Sequence, residues 1–338
     1  MTEKLAFLFP GQGSQKVGMG KALVEAFPRA RAVFDEADAT LGVSLSQLCF
    51  EGPEAELTLT ANAQPAILAT SVAALRVLEE ETGLRPAVVA GHSLGEYSAL
   101  VCAGALSLAD ALRLVRLRGQ FMQDAVPAGT GAMAAILGLA QAEVEEACRE
   151  AVEESARADG GGGGAAKEIV SAANLNGGGQ IVIAGHKGAV ERACEAAKRR
   201  GAKRAMSLAV SAPFHCALMQ PAADRLAAEL ARVTVRDPLV PVVSNVDAEP
   251  NRDGARVREL LTRQVTGAVR WEESMQRLNL LEVTAAIEVG HGAVLAGLMK
   301  RIVPTIAVRA AGDPAAIAAL RAEPPRSQGQ SKVVMNNA

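Results

Sequence analysis

The sequence predicts an α/β protein with a largely parallel core sheet and a small α+β subdomain inserted in its middle. Short apolar runs alternate along the chain with longer stretches of helix-forming residues, which is typical of a parallel sheet covered by helices. Between residues 130 and 207 the order becomes strand, helix, strand, strand, helix, strand. That order is typical of a ferredoxin-like split unit.

The predicted elements divide the chain into a discontinuous core, an insert and a tail. The core comprises residues 1–129 and 208–312, the subdomain comprises 130–207, and the polar segment 322–338 is expected to be a disordered tail. Core strands are predicted at 5–9, 86–90, 240–244 and 285–289, and core helices at 21–41, 64–81, 96–106 and 293–301. Subdomain strands are predicted at 132–137, 169–173, 180–184 and 205–209, and subdomain helices at 141–156 and 189–200. Pro65 suits a first helical turn, so we expect its helix to begin beside it.

Composition and charge limit the classes of protein that this chain can be. Of its 338 residues, 49% are hydrophobic and 21% are charged, so the chain can bury a sizeable core. Only 3% are aromatic, so that core must be mostly aliphatic. A formal net charge of −2 gives no basic excess of the kind that binds nucleic acid. The longest stretch without charges, 125–142, is interrupted by proline and glycine, which argues against a membrane span.

Cysteine usage indicates a reducing compartment. The chain has five dispersed cysteines, Cys49, Cys102, Cys148, Cys194 and Cys216. An odd set without C-x-x-C spacing predicts free thiols in a cytoplasmic protein and indicates neither a disulfide framework nor a zinc site. The first strand begins by Leu5, which leaves no room for a signal peptide. We therefore expect a cytoplasmic protein without a bound metal.

The motif Gly91-His92-Ser93-Leu94-Gly95 is the main candidate for chemistry. It lies between the predicted strand 86–90 and the predicted helix 96–106, which is the context of a nucleophile elbow in α/β-hydrolase-like enzymes. Small residues on both sides allow a sharp turn that exposes the serine hydroxyl. The new helix points its first amides at any oxyanion nearby. The alternative is an ordinary βα loop with a capping serine, and the correct flanking elements favour the catalytic interpretation.

Two loops hold weaker candidates. Gln12 lies in a glycine-rich loop after the strand at 5–9, at the sheet edge where α/β sites form. That loop is not G-x-G-x-x-G, so a dinucleotide site is rejected, and on the sequence alone Gln12 is best interpreted as a plain loop residue. His215 lies in a loop downstream of Ser93, where a general base could stand. A lone loop histidine is more often a surface residue, so both interpretations stay open.

Arg118 stands out on the helix that begins with the capping box at Ser107. Its position falls inside the apolar sector of that helix, whereas Arg113 and Arg116 fall outside it. A guanidinium that points into a core is costly unless an anion pairs with it. That anion is either a structural carboxylate or the carboxylate of a substrate, and the helical pattern does not choose between them.

Several segments in unbroken order, from about residue 3 to 310, resemble the malonyl-CoA:acyl-carrier-protein transacylases of bacterial type II fatty acid synthesis. The matching segments are Phe9-Pro-Gly-Gln-Gly-Ser14, Ala63-Gln64-Pro65, Gly91-His-Ser-Leu-Gly-Glu96, Arg118-Gly-Gln120, Asn174, Ala212-Pro-Phe-His-Cys-Ala-Leu-Met219, Ser244-Asn-Val246, Gln264 and Glu288-Val-Gly290. The G-x-S-x-G motif alone is weak evidence, whereas so many motifs in register are specific.

The resemblance implies an α/β-hydrolase-like core and a role for each matching residue. Ser93 is the expected nucleophile and His215 its base, and the backbone carbonyl near Gln264 orients the histidine in place of an acidic third member. The amides of Gln12 and Leu94 are the expected oxyanion hole. The substrate-binding residues implied are Arg118, which binds the malonyl carboxylate, Gln64 and Asn174, which line the pocket, and Phe214, which crowds a 2-methyl branch.

The implied activity is transfer of malonyl from malonyl-CoA to the phosphopantetheine thiol of acyl carrier protein, by a monomer without a cofactor. Alternatives are a trans-acting acyltransferase of polyketide synthesis, a serine thioesterase or esterase, and a non-enzymatic carrier-binding module. A basic cluster could steer the acidic carrier protein or be a solvated helix end. Its members are Lys198, Arg199, Arg200, Lys203 and Arg204. His291, where the family commonly has proline, could lie near the pocket mouth or be exposed, and the glycines 160–164 have no assigned role.

Overall fold

The computed structural model describes residues 4–127, 129–158, 168–210 and 212–322 and contains two sheets. The strands are β1 (Leu5–Phe9), β2 (Val88–Gly91), β3 (Gly131–Leu137), β4 (Val170–Gly177), β5 (Gln180–His186), β6 (Arg204–Ser207), β7 (Val242–Val243), β8 (Pro250–Asn251), β9 (Ala285–Val289) and β10 (Ala307–Ala311). The helices are α1 (Lys21–Ala26), α2 (Pro28–Leu41), α3 (Leu45–Glu51), α4 (Glu54–Thr58), α5 (Thr60–Thr82), α6 (Gly95–Cys102), α7 (Leu108–Asp124), α8 (Gln141–Ala158), α9 (Lys187–Arg199), α10 (Gln220–Leu230), α11 (Gly254–Thr266), α12 (Trp271–Leu280), α13 (Val294–Ile302) and α14 (Pro314–Ala322). Within these ranges, none of the helices has the length and apolar character that a membrane span requires.

The larger sheet has six strands in the order β10-β9-β1-β2-β7-β8. All neighbours are parallel except β7 and β8, which form a short antiparallel edge. The predicted α/β class with a largely parallel sheet is therefore confirmed. Because parallel strands end at the same edge, the glycine-rich loop after β1 and the turn after β2 emerge side by side, with Phe9 paired to Gly91.

Helices cover both faces of this sheet, which is why its strands are apolar without alternation. Phe7 and Phe9 of β1 face a cluster that includes residues of α2, α5 and α7. Ala6 and Leu8 face the opposite cluster, which includes residues of α12 and α13 and the single tryptophan, Trp271. Aliphatic side chains make up most of both clusters, as the low aromatic content predicts.

The smaller sheet has four antiparallel strands in the order β4-β5-β3-β6, the ferredoxin-like arrangement that the element order predicts. Helices α8 and α9 pack on it around an aliphatic cluster. Its strand β4 is tied to the larger unit, since Leu175 N donates to Val269 O (2.9 Å) and Val269 N donates to Ala173 O (2.9 Å). The residue boundaries of the two units stay predictions. Residues 160–164 and 323–338 lie outside the described ranges, and Ala322, the first residue of the tail expected at 322–338, is instead the last residue of α14.

The start of α5 differs from the prediction. The helix begins at Thr60, and Pro65 is its sixth residue rather than a residue of its first turn. Proline has no N–H to donate to the carbonyl four residues earlier, that of Ala61. Here the Nη1 of Arg116 donates to that carbonyl at 3.0 Å instead. The helix therefore continues through the proline.

Other elements differ from the prediction in length or number. The stretch predicted as one helix at 21–41 is two, because Phe27 is extended and Pro28 starts a new helix. The strand predicted at 240–244 is only Val242–Val243. Strand β4 runs on to Gly177, so Asn174 and Asn176 lie on it. Elements without a sequence prediction are α3, α4, α10, α11, α12, α14, β8 and β10.

Candidate active site

Ser93 lies in the sharp turn between β2 and α6, with a positive φ of 51°. A Cβ at Gly91 would lie 2.0 Å from the backbone of Gly95, and a Cβ at Gly95 would lie 2.1 Å from Phe9 O. Only glycine fits at either position, so the small residues that flank the serine are what allow the turn. This is the geometry of a nucleophile elbow, with the serine held in a conformation that few residues adopt.

His215 contacts the serine hydroxyl directly. The distance from Ser93 Oγ to His215 Nε2 is 2.7 Å, and that from His215 Nδ1 to the backbone O of Gln264 is 2.8 Å. Because a carbonyl oxygen only accepts, Nδ1 carries the ring proton and Nε2 is free to accept one from the serine. Burial, with a contribution from Arg118, lowers the pKa of His215 to about 3. The imidazole is therefore neutral at pH 7, as a general base must be.

Arg118 lies on the other side of the serine and is only 2% exposed. Its Nη1 donates to Gln64 Oε1 at 2.8 Å, and its Nη2 donates to Gln264 Oε1 at 2.9 Å and to Ser93 Oγ at 3.2 Å. Its Nε has no hydrogen-bond partner, and within the described ranges no carboxylate forms an ion pair with it. The sequence left open a structural or a substrate carboxylate, and among the described residues no structural carboxylate lies within ion-pair distance; Glu96 acts on Arg118 only from farther away.

The loop after β1 packs tightly against the elbow. A Cβ at Gly11 would lie 2.3 Å from His92 O, so glycine is required there for the approach. Neither the amide of Gln12 nor that of Leu94 donates a hydrogen bond to any described part of the chain. Both amides are thus available to an oxyanion at the start of α6, where the helix dipole also favours negative charge.

These residues surround a cleft of about 470 Å³ between the two sheets. Seven of the nine residues predicted for the site line it: Gln12, Gln64, Ser93, Arg118, Asn174, Phe214 and His215. Leu94 and Gln264 lie behind its wall and reach the site through their backbone or side-chain contacts. In the described residues, no group of three or more His, Cys, Asp or Glu side chains is placed to hold a metal ion.

Residues 6–320 match the family model described as the acyl transferase domain. The chain belongs to this family. It is 51% identical to the malonyl CoA-acyl carrier protein transacylase of Escherichia coli strain K12 over 316 residues, which are 94% of this chain and 98% of that protein. The resemblance inferred from the motifs is thereby confirmed.

Solved structures of acyltransferases agree with this assignment. The acyl-carrier-protein S-malonyltransferase of Bartonella henselae is 50% identical and superposes with a TM-score of 0.87, covering 94% of this chain and 98% of that one. A malonyl-transacylase solved in complex with its type II PKS acyl-carrier protein is 47% identical, with a TM-score of 0.88 over 94% of this chain and 98% of that one.

Two residues that the sequence did not predict for the site, Asn245 and Glu96, support the turn that carries Ser93. Asn245 Oδ1 accepts from Ser93 N at 2.7 Å, and Asn245 Nδ2 donates to Gly91 O at 2.7 Å. Glu96 in turn accepts from Asn245 N at 3.1 Å. A signal existed for Asn245, because it follows strand β7 at the same sheet edge as the loops after β1 and β2.

A second unpredicted contact joins the elbow to the small sheet. His92 Nε2 lies 2.8 Å from Asn176 Oδ1 on β4, and both residues line the cleft beside Ser93. The imidazole also packs against Trp271, with ring centroids 5.3 Å apart. His92, the residue before Ser93, therefore connects the small sheet to the turn that carries Ser93.

Two members of the basic cluster, Arg199 and Arg200, have acidic partners on α8. Arg200 lies 2.9 Å from Glu143 and 3.3 Å from Glu150, and Arg199 pairs with Glu150 and Glu154. This favours the interpretation as a structural, partly solvated helix end over that of a free docking surface. His291 is half-buried and is not among the residues that line the cleft.

Proposed function

We propose that this acyl transferase moves a malonyl group from malonyl-CoA to the phosphopantetheine thiol of acyl carrier protein. One observation supports the choice of acyl group: the buried Arg118 forms no ion pair with a carboxylate of the described residues, and its Nη2 is 3.2 Å from Ser93 Oγ. In a malonyl thioester one methylene separates the carboxylate from the carbonyl. A carboxylate held by the guanidinium would therefore bring the thioester carbonyl to the serine. The names of the similar proteins support the same activity.

The first half-reaction forms a malonyl ester on Ser93. His215 Nε2 takes the hydroxyl proton as Oγ attacks the thioester carbonyl. The amides of Gln12 and Leu94 hold the oxyanion, and each such donor is typically worth about 3 kcal/mol. The C–S bond then breaks, and the imidazolium returns its proton to the departing CoA sulfur. The carbonyl of Gln264 keeps the histidine in the tautomer that these steps need.

The second half-reaction repeats these steps with a different thiol. The phosphopantetheine thiol gives its proton to His215 and attacks the ester carbonyl. The C–O bond to Ser93 breaks, and the serine recovers its proton from the imidazolium. The acyl group leaves as a malonyl thioester of the carrier protein, and the site returns to its starting state.

Selectivity within this proposal depends on the residues around the serine. Arg118 favours acyl groups with a free carboxylate over acetyl. Phe214 lines the cleft directly before His215 and would crowd a 2-methyl branch, so methylmalonyl-CoA should be a poor substrate. Gln64 orients the guanidinium, and Asn174 lines the wall that the small sheet contributes.

Two questions of context belong to the same proposal. The proposed carrier protein is one of fatty acid synthesis. A polyketide carrier protein is the second candidate, because one similar enzyme was solved in complex with a type II PKS acyl-carrier protein. A serine thioesterase or esterase is less well supported, since the histidine has a carbonyl in place of an acid and the cleft buries an arginine. We further propose that the protein acts as a monomer and, from its five free cysteines, in the cytoplasm.

Mass spectrometry of the intact protein after incubation with malonyl-CoA tests the proposal. We expect one added malonyl group on the wild type, none on Ser93→Ala, and loss of the adduct when carrier protein is added. Ser98→Ala is a matched control, because Ser98 lies on α6 with a buried hydroxyl that has no hydrogen-bond partner. CoA release without transfer to carrier protein would favour a hydrolase, and absence of any adduct would refute acyl transfer through Ser93.

A further inference from the structure

We propose that Glu96 is a positioning residue that fixes the side-chain amide of Gln264, so that Gln264 presents its oxygen to Arg118 and holds the guanidinium ready for the substrate carboxylate. This inference rests on the function proposed above, because it assigns Arg118 the same role. It explains why a carboxyl group is buried three residues after the nucleophile.

Glu96 connects two segments that are distant in sequence. Its Oε2 accepts from Gln264 Nε2 at 2.7 Å and from Asn245 N at 3.1 Å. Gln264 lies on α11, and Asn245 follows β7. Glu96 itself is the second residue of α6, where the helix dipole favours its negative charge.

The orientation of the Gln264 amide decides what Arg118 meets. An amide has an oxygen on one side and an NH₂ group on the other, and the two are nearly equal in size. Glu96 and the backbone O of Ser93 (3.0 Å) both accept from the NH₂ group. Gln264 Oε1 therefore points the other way, to Arg118 Nη2 at 2.9 Å. Without an acceptor at Glu96, Gln264 Nε2 keeps Ser93 O and a longer contact to Asn245 Oδ1 (3.4 Å) as acceptors. The amide is then held less firmly, and its flipped form, with the NH₂ group towards the guanidinium, becomes more populated.

The acceptor function does not depend on the charge of Glu96. Burial raises the pKa of Glu96 to about 7, against the lowering effects of Gln264, Asn245 and Arg118. Both hydrogen bonds of Glu96 use Oε2, and Oε1 accepts none from the described residues. A proton on Oε1 therefore leaves the acceptor in place, and a glutamine at this position can keep it as well.

The test compares two nearly isosteric variants that differ in the acceptor. Glu96→Met removes it, and we expect KM for malonyl-CoA to rise about tenfold while kcat stays within about threefold. Glu96→Gln keeps an acceptor oxygen and should restore most of the wild-type KM. Turnover of acetyl-CoA, which has no carboxylate for Arg118, should fall less than turnover of malonyl-CoA in Glu96→Met, and any fall that the two substrates share reports the contact of Glu96 with Asn245.

Glu288→Met is the matched control. Glu288 is also fully buried and also accepts from two backbone amides, those of Leu295 and Ala296, but it lies outside the cleft. We expect it to lower the melting temperature without changing KM. If Glu96→Met does not fold, Glu96→Asp moves the acceptor back by one methylene. It should raise KM by a smaller factor and again leave kcat nearly unchanged.

A double variant separates positioning from general stability. In a Gln264→Met background there is no amide to orient, so Glu96→Met should add little to KM. Additive effects, or equal losses for malonyl and acetyl groups, would overturn the inference. A wild type that forms no malonyl adduct, or shows no preference for malonyl, would instead count against the proposed function.

Discussion

Two arginines of this protein, Arg118 and Arg200, show how differently a charge can be compensated. Arg200 belongs to the basic cluster and lies near three glutamates of α8, with its side chain 27% exposed. Arg118 is 2% exposed, and its hydrogen-bond partners among the described residues are neutral oxygens of Gln64, Gln264 and Ser93. The cluster is the more conspicuous group of charges in the sequence, yet the charge of Arg200 is offset within the fold. The arginine in the apolar helical sector, Arg118, is the one that we propose to bind the substrate carboxylate.

Matched glutamine substitutions should separate the two arginines most clearly. Arg118→Gln removes the guanidinium that we propose to bind the malonyl carboxylate. We expect kcat/KM for malonyl-CoA to fall about 10³-fold, or about 4 kcal/mol. Selectivity for malonyl over acetyl should be lost, as measured by competition between the two CoA esters followed by mass spectrometry. Arg200→Gln should change neither quantity. If Arg118→Gln still prefers malonyl over acetyl, Arg118 does not bind the malonyl carboxylate.

The buried site should also make stability depend on pH in a way that the exposed charges do not. The pKa of His215 is lowered from 6.5 to about 3, so the folded protein binds fewer protons than the unfolded chain between these values. Its contribution to stability is full above pH 6.5 and is lost as the pH falls towards 3. Between pH 7 and pH 4 this amounts to about 3 kcal/mol.

Urea unfolding of the wild type and of His215→Gln at both pH values measures this contribution. The difference between the two proteins isolates the histidine from the carboxylates that titrate in the same range. We expect the wild type to lose about 3 kcal/mol more than the variant on acidification. Equal losses would mean that the histidine is not desolvated as its surroundings indicate.

Gly119 tests how tightly α7 must approach α5 to place Arg118. A Cβ at Gly119 would lie 2.7 Å from Ala61 Cα and 2.7 Å from Thr60 O, so Gly119→Ala must push the helices apart. We expect a net destabilisation of about 1–2 kcal/mol, although alanine is the better helix former. Malonyl selectivity should fall as well, because Arg118 moves with α7.

Gly297→Ala is the control for this substitution. Gly297 lies in α13 with nothing near its missing Cβ, so alanine there should raise stability by up to about 1 kcal/mol. Thermal unfolding of both variants gives the comparison. If both glycines behave alike, close packing at Gly119 is not what positions the arginine.

The predictability of this site depends on how local each contact is. Ser93 could be predicted because its turn, its glycines and its flanking elements are consecutive in sequence. The burial of Arg118 could also be predicted, since helical spacing alone placed it among apolar residues. Its partners could not, because Gln64 and Gln264 reach it only once α5, α7 and α11 have packed together.

The features that the sequence predicted wrongly or did not predict have the same physical origin. Pro65 suggested the start of α5, but a side chain from another helix, Arg116, satisfies the carbonyl that the proline leaves free. The sequence indicates no role for Glu96, because its partners Gln264 and Asn245 come from segments far along the chain. Spacing within one helix or loop contains no information on such pairs.

The smallest predicted effect concerns the cluster itself. Arg200→Gln should lower the free energy of unfolding only slightly, since its ion pairs are partly exposed, and the loss should shrink as salt is added. KM for acyl carrier protein should stay within about twofold of the wild type, because the glutamates of α8 already offset this charge. A clear rise in that KM, with malonyl-CoA unaffected, would show that the cluster attracts the acidic partner despite its ion pairs. Both arginines would then bind a ligand, Arg118 the substrate carboxylate and Arg200 the acidic carrier protein, and Arg200 would no longer be a purely structural residue.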